Sequence, residues 1–379
     1  AEQSRAEQSR AEQSRAEQSR AEQSRCKWVD VSKGIAMIFV YLGHWVTEFV
    51  GSFAYAFHLQ LFFLVAGFFA IRTSKRKVTE WFPKQVFSLL IPYFIWVMIS
   101  FVFKNVDNAN ISMVDYLSIF TNPSEMQPNY WFFPAFITVS TVYYLLYKAT
   151  NKPGMILVIS IILHFLLGET SIIAVEFNVF RNVNNWPYIL KIINGWFMIS
   201  SIPHYLFWYS LGAILFNKVE LLLNTKVTKP MVFYTMGSIS GLISIILFFK
   251  KITEFNIFYD IIYKNNFIFE LYRVCCSFII IVFVFFISKL MEESNTLNNI
   301  GKSSMNFMGL EYITHGYYAL SFLPMINLGI PNIQSTVQVI TITVIQIVIN
   351  LWISNRINKY LPLLNGDWSK PKNVKTLHT

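Results

Sequence analysis

KGIAMIFVYLGHWVTEFVGSFAYAFHLQLFFLVAGFFAIRTSKRK, residues 33–77, is the stretch whose reading decides the fold. It contains two apolar runs, at 33–50 and 55–71, closed by the basic cluster Arg72, Lys75, Arg76 and Lys77. A run of about 20 apolar residues crosses the ~30 Å of hydrocarbon in a bilayer. Lysine and arginine collect in the short segments that stay in the cytoplasm. The stretch therefore predicts a helical hairpin that leaves the cytoplasm and returns to it.

Further runs follow at approximately 85–103, 131–148, 155–168, 198–216, 231–249, 267–290, 304–322 and 335–353. Together they predict an all-α, polytopic integral membrane protein with about ten transmembrane helices. Composition points the same way. The chain is 54% hydrophobic, 17% aromatic and 14% charged, where a soluble domain carries roughly 25% charge. Pro92 falls inside the third run, where a kink is tolerable because neighbouring segments can meet the freed carbonyl. The long loops 104–130 and 169–197 hold Trp131, Trp186, Pro187 and Trp196, residues suited to a membrane interface.

The first 25 residues repeat AEQSR five times. Each unit is electrically neutral and has no apolar face, so 1–25 reads as a solvated or disordered tail. Residues 26–355 then form the transmembrane domain, and 356–379 a basic cytoplasmic tail. Cys26, Cys275 and Cys276 make neither a C-x-x-C motif nor a disulfide framework.

Charge gives the orientation. With residue 26 inside, cytoplasmic segments hold 19 of the basic residues outside the repeats, against 7 on the other side. This predicts both termini in the cytoplasm, N-in and C-in. The net charge of +10 is then topological, and no nucleic-acid partner is needed to explain it.

Ionisable side chains inside apolar spans are costly and mark functional cavities. Lys33 and His44 are eleven residues apart, about 1100° around a helix, which is about 20° past three turns. They share one face, with His44 ~16 Å further toward the outer side. Glu48 follows one turn later and Asp30 precedes Lys33 by three residues, each within reach of its neighbour. His58 opens the second run at the depth His44 has reached. On the ninth run Glu311 and His315 lie four apart on one face, and His164 and His204 also fall near the outer side. Five of the six histidines at one depth predict a wet polar chamber.

The order of these residues also resembles a known family. Asp30-x-x-Lys33-Gly-Ile-Ala, His44 at the K-x10-H spacing, and Phe57-His58-x-x-Leu-Phe-Phe-x-x-Ala-Gly67-Phe are similar to the membrane acyltransferase 3 family. So are Arg72-x-x-Lys75, Tyr130-Trp131-Phe132-Phe133 and Asn299-Ile300-Gly301-Lys302-Ser303-Ser304. The chain differs from the family pattern at Ala66, often serine, at Lys75, often arginine, and at Glu311, near a frequent histidine. The resemblance implies O-acetylation of a cell-surface glycan or its lipid-linked precursor in a bacterial inner or plasma membrane. Acetyl-CoA is the implied donor.

In that setting His44, Glu48 and His58 are the expected catalytic residues. Lys33, Arg72, Lys75 and Arg76 are expected to bind the phosphates of acetyl-CoA, and Trp131, Glu311 and His315 to serve a later site. No metal is expected. Expected partners are the lipid bilayer, the glycan acceptor, and either a second copy of the chain or a separate extracytoplasmic transferase, since no soluble esterase-like domain is appended. The competing class is a transporter or flippase with an intramembrane His/Glu site. Against it, the membrane runs show no internal repeat and no paired broken helices.

Overall fold

The computed structural model describes residues 26–44, 48–104, 130–167, 188–223, 230–249, 266–322 and 331–367. The AEQSR repeats, most of the two long loops, Trp186, Pro187 and the end of the basic tail lie outside them. Among the described residues the secondary structure is helical throughout, with no strand.

The elements in chain order are α1 (Lys27–His44), α2 (Glu48–Tyr55), α3 (His58–Gly67), α4 (Ala70–Ser74), α5 (Val78–Gln85) and α6 (Ile91–Lys104). They continue as α7 (Phe132–Thr150), α8 (Pro153–Leu167), α9 (Tyr188–Phe197), α10 (Ile202–Leu223) and α11 (Pro230–Phe249). The last are α12 (Asn266–Leu290), α13 (Asn295–Lys302), α14 (Ser304–Phe322) and α15 (Pro331–Tyr360).

The described residues of the ten predicted runs are mostly helical, yet only five described helices are long and apolar enough to cross a membrane. These are Val78–Phe103, Ile199–Leu223, Pro230–Phe248, Phe267–Leu290 and Gln338–Tyr360. The other runs lie on helices that are shorter or richer in polar residues. The second run is divided by a turn at Ala56–Phe57, which separates α2 from α3.

The distribution of side chains is that of a protein whose exterior solvent is lipid. Outward faces are apolar, as along α11 with Ile239, Leu242 and Ile246, and along α15 with Ile340, Val344 and Val348. The interior is where the polar groups sit: Asp30, His58, Gln60, His164, Glu270, Glu311, Gln346 and Asn350 are all buried. A polar group facing hydrocarbon loses its water partners without replacement, so such groups turn inward toward one another.

Two backbone contacts set the geometry around α1. Gly34 on α1 packs on the carbonyl of Leu297, and Gly301 on α13 packs on the carbonyl of Asp30. In the same reciprocal way Gly67 on α3 meets the Tyr209 carbonyl and Gly212 on α10 meets that of Leu64. A Cβ at any of the four would collide with backbone, so the close approach requires glycine. Gly67 and Gly212 thus let α3 and α10 approach closely. Near Pro92 the chain passes through a π-helical turn, Val86–Leu90. Proline donates no hydrogen bond to the carbonyl four residues back, which is that of Ser88. That carbonyl faces Gly366, a residue at φ +72°.

Candidate functional site

α1 is central to the site and touches α3, α12, α13, α14 and α15. Its polar stripe begins at Lys33, whose Nζ lies 2.7 Å from Asp30 Oδ1, the pairing the i, i+3 spacing predicts. The stripe ends at His44, whose Nδ1 lies 2.9 Å from Glu311 Oε1. The Glu311 side chain is 2% exposed, and His315 Nδ1 comes within 3.6 Å of the same oxygen. Neither approach has the alignment of a formed N–H···O bond.

Glu311 is held in place by a polar ladder between α14 and α15. Gln346 Nε2 donates to Thr314 Oγ1 at 2.8 Å and to the Glu311 carbonyl at 3.3 Å. Asn350 Nδ2 donates to Thr314 Oγ1 at 3.1 Å and to the Tyr41 hydroxyl at 2.8 Å. Tyr41 in turn donates to the Phe307 carbonyl at 2.8 Å. One turn before His44, Tyr41 therefore locks α1 against α14 and α15 in the register that brings His44 to Glu311. Sequence reasoning did not single out Gln346 or Asn350. Their signal was present as a polar series at four-residue spacing, Gln346, Asn350, Ser354 and Asn358, within an apolar run. Such a series puts one polar stripe on a helix.

The other expected residues divide. His58 is buried and within electrostatic reach of His44; its Nδ1 contacts the Ala54 carbonyl, and its ring lies 5.1 Å from that of Tyr55. The side chain of Glu48 lies outside the described residues, and the carboxylate found beside His44 is Glu311. Trp131 packs on Tyr205 with ring centroids 5.8 Å apart. Its neighbour Tyr130 reaches α14 instead, donating to the Gly309 carbonyl at 2.7 Å.

The histidines form two groups rather than one chamber. His44 and His315 share Glu311, with His58 near His44, whereas His164 and His204 share Glu270.

A cavity of about 250 Å³ runs beside the α1 stripe. Lys33 and Met37 line it from α1, Val65 and Ala66 from α3, Phe133 from α7, and Met305 and Met308 from α14. Met308 precedes Glu311 by one helical turn. Beyond the Lys33 end, Arg72 and Lys75 are exposed and Arg76 is half-buried, with Lys84 close enough to feel the charges of Arg72 and Arg76. The Arg76 backbone is anchored by the Tyr144 hydroxyl at 3.1 Å, and Tyr144 stacks on Trp81 at 4.1 Å. Basic side chains, an apolar cavity and a half-buried histidine beside a buried carboxylate thus follow one another alongside α1.

No curated protein and no solved structure matches the chain. The acyltransferase domain profile of the acyltransferase 3 family matches residues 27–355, nearly the whole chain and every element of this site. The chain belongs to the acyltransferase 3 family, and it is a membrane acyl-transfer enzyme.

Proposed function

We propose that the enzyme moves an acetyl group from cytosolic acetyl-CoA to a hydroxyl of a cell-surface glycan or of its lipid-linked precursor. It would act in a bacterial inner or plasma membrane with both termini in the cytoplasm. The observation that carries this reading is the 2.9 Å approach of His44 Nδ1 to Glu311 Oε1. Met308, one helical turn before Glu311, lines a cavity that Lys33 also lines.

The residues present suit such a donor. Phosphates are bound by charge-assisted hydrogen bonds from arginine and lysine, and Arg72, Lys75, Arg76 and Lys33 lie at the Lys33 end. The apolar cavity suits a pantetheine-like chain, since it offers Phe133, Val65 and Met308 as walls and few competing polar groups. Bound there, the donor would supply an acyl group activated as a thioester.

His44 would serve as general base. With Nδ1 turned to Glu311, its Nε2 is the atom left to take the proton of an acceptor hydroxyl as that oxygen bonds to the acyl carbon. The carboxylate fixes the ring and stabilises the imidazolium that forms. Returning the proton to the sulfur leaving group restores His44. His315 shares the carboxylate and would tune its charge. His58 backs the site, and Glu48 is a second carboxylate in the chain segment after His44. Trp131, beside Tyr205, offers an aromatic face on which a sugar ring can rest.

The test is to give purified protein labelled acetyl-CoA with and without an oligosaccharide acceptor, then follow thioester consumption and acceptor labelling. Acceptor-dependent turnover that vanishes in His44→Gln is the expected result. Absence of any thioester consumption by a folded wild type across donor acyl lengths would overturn the reading.

A further inference from the structure

The second histidine group is outside the proposed acyl-transfer path, and its geometry has a different character. His164 stands in the last turn of α8, His204 near the start of α10 and Glu270 near the start of α12. The three are far apart in the chain, and helix packing alone brings them together. Their ligand atoms all lie within 4.8 Å of one another. His164 Nε2 is 3.0 Å from Glu270 Oε1, and His204 Nδ1 is 3.8 Å from the same oxygen.

These distances differ from those of a simple hydrogen-bonded cluster. His164 is fully buried, and neither of its ring nitrogens meets hydrogen-bond geometry, even with Oε1 in contact with Nε2. An imidazole sealed from water without an aligned partner is costly. The arrangement does match a shared point of coordination. Metal–ligand bonds of about 2.0–2.2 Å place neighbouring ligand atoms of a tetrahedron about 3.3–3.5 Å apart. The two observed separations bracket that value. Arg273 Nη1 lies 3.4 Å from the other oxygen, Oε2, and so holds the carboxylate with Oε1 turned toward the histidines. Outer partners of this kind are how metal ligands are oriented.

The surroundings supply a fourth position. His204 and Glu270 line a cavity of about 270 Å³ that Tyr55, Gln60, Trp208 and Arg273 also border. A set of two imidazoles, one carboxylate and one position open to water or a ligand hydroxyl suits zinc and its first-row neighbours.

We propose that His164, His204 and Glu270 form a binding site for one divalent transition-metal ion, zinc foremost, whose fourth position opens on this cavity. The site ties α8, α10 and α12 together at one end of the bundle. It departs from the sequence expectation that the protein holds no metal. It is also independent of the acyl-transfer reading, because none of its ligands belongs to the His44–Glu311 group.

The test uses the full chain in nanodiscs, stripped with a chelator, reloaded with Zn²⁺ or Co²⁺ and desalted. Wild-type protein should retain about one ion per chain, show the visible bands of tetrahedral cobalt, and melt at a higher temperature with zinc than without. His204→Gln and Glu270→Gln should lose the retained metal and the zinc-dependent shift while melting like stripped wild type. His44→Gln and His315→Gln should keep both. His204→Cys guards against a glutamine variant that fails to fold: it should retain cobalt and add a thiolate-to-metal absorption band, which a merely structural histidine would not produce. Only trace metal on folded wild type would overturn the proposal. So would retention that survives His204→Gln, or that is lost in His44→Gln instead.

Discussion

His44 and Glu311 come from opposite ends of the chain, yet Nδ1 of one lies 2.9 Å from Oε1 of the other inside the helical bundle. The contact depends on Tyr41, whose hydroxyl joins the Phe307 carbonyl to Asn350 and so fixes the register of three helices. A histidine on α1 is thereby given a carboxylate from α14.

Replacing the histidine should remove transfer. General acid–base assistance is typically worth ~10²–10⁴-fold, so His44→Ala and His44→Gln should each lose at least that much turnover. His44→Gln keeps approximate size and polarity and should fold normally. Measuring transfer and melting temperature on the same preparations checks both halves; an active His44→Gln enzyme would remove this residue from the mechanism.

The two candidate carboxylates can be ranked. Glu311→Gln keeps the shape of the contact but removes the charge that stabilises imidazolium, and turnover should drop by ~10–100-fold, short of the ~10²–10⁴-fold value of the base itself. Glu48→Gln should cost less, because Glu311 already occupies Nδ1. Parallel kinetics on the two variants decide it, and a larger loss at Glu48 would reassign the partner.

For the donor end, neutralising Arg72, Lys75 and Arg76 together should raise the KM for acetyl-CoA while leaving the melting temperature nearly unchanged. Hydrogen bonds to charged groups contribute ~1.5–3 kcal/mol in protected settings, less for exposed side chains. Loss of about 1.4 kcal/mol corresponds to tenfold, so a tenfold or greater rise is expected from the triple variant. An unchanged KM would leave these residues with a role in topology alone.

Removing the ladder should weaken the fold and the site together. Asn350→Leu leaves the Tyr41 hydroxyl and Thr314 short of a buried donor, at a cost of about 1–3 kcal/mol. Melting temperature and turnover should both decline, whereas Ser354→Ala, further along α15, should affect stability more than turnover. Equal effects on turnover at both positions would argue against a special register at Tyr41.

The helix–helix contact at Gly67 should tolerate no side chain. Gly67→Val and Gly212→Val each drive carbon into a backbone carbonyl, beyond the 1–3 kcal/mol typical of overpacked cores. Both variants should be poorly folded by size-exclusion chromatography, while Gly154→Ala, which has open space around it, should behave as wild type.

The sequence by itself determined the helical class, the membrane habitat, and the stripe that joins Lys33 to His44. It could do so because those properties are local: apolar runs need internal backbone hydrogen bonding in lipid, and helical periodicity fixes which residues share a face. The family motifs are also local, concentrated in residues 30–77. Tertiary structure alone decided which carboxylate meets which histidine. Sequence spacing put Glu48 within reach of His44, a pairing that lies outside the described residues, and treated five histidines as one chamber, because depth and periodicity do not say which helices pack together. The glycine contacts between α1 and α13 and between α3 and α10 instead set which faces meet. That packing sends Glu311 to His44 and Glu270 to His164 and His204, pairings that no periodicity within a single helix encodes.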